Sequence, residues 1–70
     1  MIRKHSVSLH GHRTSFSLED EFHAELMRIA RARDLSLAAL LAEIDDSREG
    51  DINLSSAIRL YVLAALKSGN

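Results

Sequence analysis

Two periods divide the chain. Between Ser6 and Leu18 apolar and polar residues alternate. From about residue 20 onward apolar residues recur every three or four positions. In the first stretch Val7 and Leu9 alternate with Ser6, Ser8 and His10. After Gly11, Thr14, Phe16 and Leu18 alternate with Arg13, Ser15 and Ser17. A period of two in β-forming residues predicts strand. The apolar positions are odd before Gly11 and even after it, so one regular strand cannot keep them on a single face. Two devices reset the parity. One is a bulge in which Gly11 supplies the unusual dihedrals. The other is a hairpin with Gly11-His12 as its two-residue turn, placing Val7 opposite Phe16 and Leu9 opposite Thr14.

The helical period begins after three acids, Glu19, Asp20 and Glu21, which suit the positive end of a helix dipole. Phe22, Leu26, Ile29 and Ala30 then share one face, with Arg28, Arg31 and Arg33 toward the C-terminal end. Asp34-Leu35 breaks this helix. Ser36 is an N-cap for a second one, whose apolar face is Leu37, Leu40, Leu41 and Ile44. Residues 45–51 read as a polar loop. Asn53 caps a third helix carrying Leu54, Ala57, Ile58, Tyr61, Val62, Ala65 and Leu66 on one stripe, and Gly69 is its stop. The fold class is thus mainly α with a short N-terminal β-ribbon, in a single domain over residues 1–70.

Size sharpens the picture. A chain of 70 residues buries too little surface to be comfortable alone and usually needs disulfides, a metal or a partner subunit. With no cysteine, a second copy is the expected source of additional core. Phe16, Leu18, Phe22, Leu26, Ile29, Leu40, Leu41 and Ile44 are the apolar set it would share. The lack of cysteine fits a reducing, cytoplasmic setting, and no apolar run is long enough to span a membrane. The net charge is −1, but it is unevenly spread. Residues 1–18 hold Arg3, Lys4 and Arg13 and none of the ten acids, leaving six Lys/Arg against ten Asp/Glu afterwards. A basic arm on an acidic body points to an anionic partner for the arm.

Ribbon, helix, short break, helix in so small a chain resembles the ribbon-helix-helix family. The residues that carry the likeness are RTSFSLE (13–19), EFHAELMRIARARD (21–34) and LSLAALLAEI (35–44), about residues 13–44 in all. The resemblance implies an intertwined homodimer in which the ribbons of two chains pair antiparallel, and whose outward ribbon side chains enter the major groove of double-stranded DNA. By position, Thr14, Phe16 and Leu18 face inward, and Arg13, Ser15 and Ser17 face the bases. Arg13 is the strongest base reader, since a guanidinium can bind guanine through two hydrogen bonds. Ser36 and Leu37 fall where the family's phosphate anchor at the second helix would lie, and Arg3 and Lys4 on the arm would meet phosphates. The chain departs from the pattern in its sparse ribbon charge, in residues 1–12, which form a basic arm or an extra strand, and in the additional helix over residues 53–67. If the arm pairs as a hairpin, a dimer carries four strands, too broad for a groove about 12 Å wide.

Other chemistry is thin. His10 and His12 share the spacing of a metal pair, but no carboxylate or cysteine stands near them in sequence, so no metal or other cofactor is expected. No nucleophile elbow accompanies the scattered Ser, His and Asp, and a core this small rarely holds a pocket of about 300 Å³, so no enzyme activity is expected. Arg28, Arg31 and Arg33 are accounted for by the helix dipole and by neighbouring Glu25 and Asp34. Two functions remain. One is a sequence-specific DNA-binding homodimer, a transcriptional regulator or repressor. The alternative is a protein-interaction or structural dimer module, antitoxin-like or an adaptor, with a protein partner on the C-terminal helix and no contact with DNA.

Overall fold

The parity break at Gly11 is a hairpin turn. In the computed structural model, which describes residues 1–69, strand β1 (Ile2–Leu9) pairs antiparallel along its whole length with β2 (His12–Glu19). His10 and Gly11 form the turn, with φ of 54° and 80°. Two consecutive positive φ values match the right-handed twist of the flanking strands, and this turn type favours glycine at its second position. The turn therefore sits one residue earlier than Gly11-His12. The register follows it: Val7 faces Thr14, Leu9 faces His12 and His5 faces Phe16. Residues 6–9 and 13–18 nevertheless keep their expected faces, because the register moves by two residues and the side-chain period is two, but His10, expected on the outer face, lies in the turn and reaches Asp46.

β2 runs directly into helix α1 (Asp20–Ala32), whose N-cap Glu19 makes no side-chain capping bond. The junction is closed instead by the Asp20 N–H, which donates to the Met1 carbonyl at 3.0 Å. Asp34, with a φ of 57°, ends the first helical segment. Ser36 caps α2 (Leu37–Asp46) by accepting from the Ala39 N–H, and Asn53 caps α3 (Leu54–Lys67) by accepting from the Ser56 N–H. α2 takes in Asp45 and Asp46, two residues that the sequence assigns to the loop.

The core lies between the inner face of the hairpin and the three helices. Phe16, Leu18, Leu26, Ile29, Leu40, Leu41 and Ile44 are all buried within one chain, together with Leu9, Leu54, Ile58 and Val62. Of the apolar set assigned to a dimer, only Phe22 stays partly exposed. The expectation that these residues need a second chain counts two helices as their cover. α3 supplies the rest, packing against β2, α1 and α2. No helix among the described residues is long and apolar enough to cross a membrane.

Candidate nucleic-acid interface

Alternation decides what the hairpin shows to solvent. On its outer face β1 presents Ile2, Lys4, Ser6 and Ser8, and β2 presents Glu19, Ser17, Ser15 and Arg13, as directly opposed pairs. Lys4, Ser6, Ser8, Arg13 and Ser15 are exposed, and Ser17 is half-buried. Arg13 and Lys4 have no hydrogen bond or ion pair with any other described residue. The one acid on this face, Glu19, is bound by Arg59 of α3, with Nε to Oε1 at 2.9 Å. That hydrogen bond, backed by one from its own backbone, holds the Glu19 carboxyl below the usual carboxylate range. The outer face is thus a serine-rich strip with one free cation toward each end.

α3 also controls the edge of the ribbon. The Leu9–His12 pair closes a two-residue turn, so hydrogen-bonded pairs alternate from there and Lys4–Ser17 is a non-hydrogen-bonded pair. The N–H and C=O of Ser17 therefore point off the β2 edge. There the N–H donates to Ser55 Oγ at 2.9 Å, and the carbonyl lies 3.4 Å from Arg59 Nη2. Ser55 and Arg59 are functional candidates that the sequence does not mark. They are a serine and an arginine on a helix 38 and 42 residues away, and only the tertiary packing brings them to the strand.

The remaining candidates scatter. Arg3 is on a strand and not on a loose arm, and it belongs to the opposite face from Lys4. Its Nε lies 2.9 Å from Asp20 Oδ1. Ser36 already uses its hydroxyl to cap α2. With Leu37 it sits at the end of α2 opposite Asp46, and it is Asp46 that reaches the hairpin turn. First-turn N–H groups beyond the capped one have no intrahelical partner and remain open to an anion.

His10 and His12 do not form a pair, since His10 is in the turn and His12 in β2. His10 instead meets carboxylates that the local sequence does not contain. Its Nε2 is 2.8 Å from Asp46 Oδ1 and 4.0 Å from Asp45 Oδ2. Arg48 pairs with the other Asp45 oxygen at 2.7 Å, so that carboxylate is shared between the turn and the end of α2. Of the arginines assigned to neighbours on their own helix, Arg28 does pair with Glu25, but Arg33 turns from Asp34 to bridge Glu43 and Tyr61, which the packing of α2 and α3 brings to it.

α3 leaves Leu60, Leu63 and Leu66 about half exposed, at 56%, 48% and 47%. Beside Leu60 runs an open groove of about 460 Å³, lined in part by Ile44, Ile52, Ala57 and Tyr61. This is larger than expected of so small a chain. Ser47, Arg48, Glu49 and Ile52 of the loop between α2 and α3 form one wall of it.

A family model described as a ribbon-helix-helix domain matches residues 2–66. The match takes in β1 and α3 as well as the segment 13–44 that carries the resemblance in sequence. No curated protein and no solved structure matches the chain.

Proposed function

The chain belongs to the ribbon-helix-helix domain family, whose members are commonly DNA-binding regulators or antitoxins and typically not enzymes, and from that membership we propose that it is a sequence-specific DNA-binding protein acting as a homodimer in transcription regulation. Its reader is the outer face of its own hairpin. The observation that carries this reading is that face: two strands wide, free of unpaired acid, with the Arg13 guanidinium unengaged at the turn end. Two strands about 4.8 Å apart fit a groove about 12 Å wide. A four-stranded sheet would not, and α3 opposes one by holding Ser17 at the β2 edge. Pairing two chains through β2 in the family's manner requires Ser55 and Arg59 to release that edge.

In this reading Arg13 contacts a guanine edge, Ser15 and Ser17 touch bases permissively, and Lys4 contacts phosphate. Ser36 and Leu37 offer the α2 N-terminus to a second phosphate. Arg3 adds to phosphate binding only by leaving Asp20.

The test is a binding-site selection at fixed salt on the wild type, Arg13→Ala and Lys4→Ala. Arg13→Ala is expected to lose about 1–3 kcal/mol of discrimination at one base pair in each half-site. Lys4→Ala is expected to weaken all sequences alike and to flatten the salt dependence by about one counterion per protomer, about two per dimer. An unchanged motif and affinity in Arg13→Ala would remove the hairpin as reader. The exposed Leu60, Leu63 and Leu66 ridge favours a second reading, an interaction module that uses α3 to hold another protein. Absence of binding to any genomic fragment, at any salt, would select it.

A further inference from the structure

Under the hairpin, on the face turned away from the proposed reader, lie two histidines. His5 projects from the inner face of β1, and His23 stands one turn into α1. Their rings are stacked, with centroids 4.3 Å apart and planes 7° from parallel. The other neighbour of His5 is Phe16, its cross-strand partner, at 5.2 Å and 22°. The result is a three-ring column running from β2 through β1 to α1. His5 Nε2 is buried and meets no hydrogen-bond partner among the described residues. A polar atom in that position is costly even when neutral, and more so when it carries a proton.

We propose that the stacked His5–His23 pair is a proton-sensitive latch, which holds the hairpin against α1 while the stack is neutral and releases it when the stack takes up a proton. Neutral imidazoles stack as ordinary aromatic rings. A proton on the pair sets a charge against a stacked ring and beside the buried His5 Nε2, which has no hydrogen-bond partner among the described residues.

The charged groups around the pair compensate a proton on it only in part. From α1, Asp20 favours a cation at His23, although Asp20 is shared with Arg3 of β1, a cation on the same strand face as His5. From β2, the residues facing the pair, Phe16 and Leu18, are apolar, and Glu19 is turned to Arg59 of α3. From α2, Asp45 and Asp46 engage His10 at the far end of the hairpin. Burial, and then the neighbouring His5, push His23 below the ordinary histidine value of 6.5, against the pull of Asp20.

The sign follows by linkage. The folded chain prefers neutral His23, so the unfolded chain takes up the proton first as pH falls. The stability that the pair contributes is fully present above about pH 6.5 and is lost as pH falls from there through the lower value of the folded state.

The latch is separable from DNA binding and is tested without DNA. Amide hydrogen exchange, corrected for its intrinsic pH dependence, is measured on the full chain at pH 7.5 and pH 5.5. Protection at Arg3, His5 and Val7, whose N–H groups face β2, is expected to fall at least tenfold more than at Leu40 and Leu41 in α2. In His23→Phe, which keeps a stacked ring that cannot take a proton, the differential loss is expected to shrink to less than threefold. His5→Phe serves as the second variant if the first does not fold. His10→Gln is expected to leave the effect intact, because His10 lies at the turn, away from the stacked rings. Equal protection loss in both segments of the wild type would overturn the latch. So would a differential loss that survives unchanged in the folded Phe variant.

Discussion

Phe16→Ala is expected to destabilise the chain by about 3–5 kcal/mol, the cost of truncating a buried aromatic side chain. The ring is 3% exposed, stacks on His5 and sits where the inner face of the hairpin meets the helices. A domain of this size has on the order of 4–10 kcal/mol at roughly 0.05–0.15 kcal/mol per residue, so the variant is expected to be largely unfolded at moderate urea. The measurement is equilibrium urea unfolding of both proteins followed by circular dichroism. A loss below about 1 kcal/mol would mean that this part of the core can collapse onto the gap, contrary to the packing described.

Removal of α3 is expected to have a larger effect. A chain ending at Ile52 loses Leu54, Ile58, Val62 and Ala65 from the core, and with them the cover over the hairpin and both other helices. It also loses Ser55 and Arg59 from the β2 edge. It is expected to show no cooperative thermal transition at micromolar concentration. The same experiment bears on assembly. If the shortened chain folds cooperatively with a midpoint that rises with concentration, the cover comes from a second copy, and the β2 edge freed by Ser55 is where that copy pairs. Sedimentation of the full-length and shortened chains, side by side, distinguishes the two outcomes.

Most of the architecture was legible in local pattern. The period of two over residues 6–18, the parity break at Gly11, the caps at Ser36 and Asn53 and the stripes of the three helices depend on interactions a few residues apart, and each is found where the pattern puts it except that Leu66, assigned to the α3 stripe, is left 47% exposed. The exact turn was not legible. Gly11-His12 and His10-Gly11 leave residues 6–9 and 13–18 on the same faces, so the alternation cannot separate them. Both kinds of two-residue turn match the twist of the paired strands, and the positive φ at His10 and Gly11 shows which one the closed hairpin takes. The roles of Arg13, Ser15 and Ser17 as outward residues rest on alternation alone and follow from the sequence.

Tertiary structure alone decided what those outward residues are offered with. Charge counting assigns Arg3 and Lys4 together to a basic arm, but strand pairing puts them on opposite faces and gives Arg3 to Asp20. Sequence spacing leaves His10 without carboxylates, yet the close of the hairpin against α2 brings it to Asp46 across 36 residues. The apolar set that looks too large for one chain is covered by α3. Periodicity shows that a helix has an apolar face, whereas the surface it covers depends on how the chain turns through the loop before it. The sequence by itself determined the elements, their faces and the polar strip on the hairpin, because these follow from contacts between near neighbours. Whether the strip stays two strands wide, and which cations on it remain free, depended on α3 returning to β2. That is a long-range contact between Ser55, Arg59, Ser17 and Glu19, set by how the whole core closes.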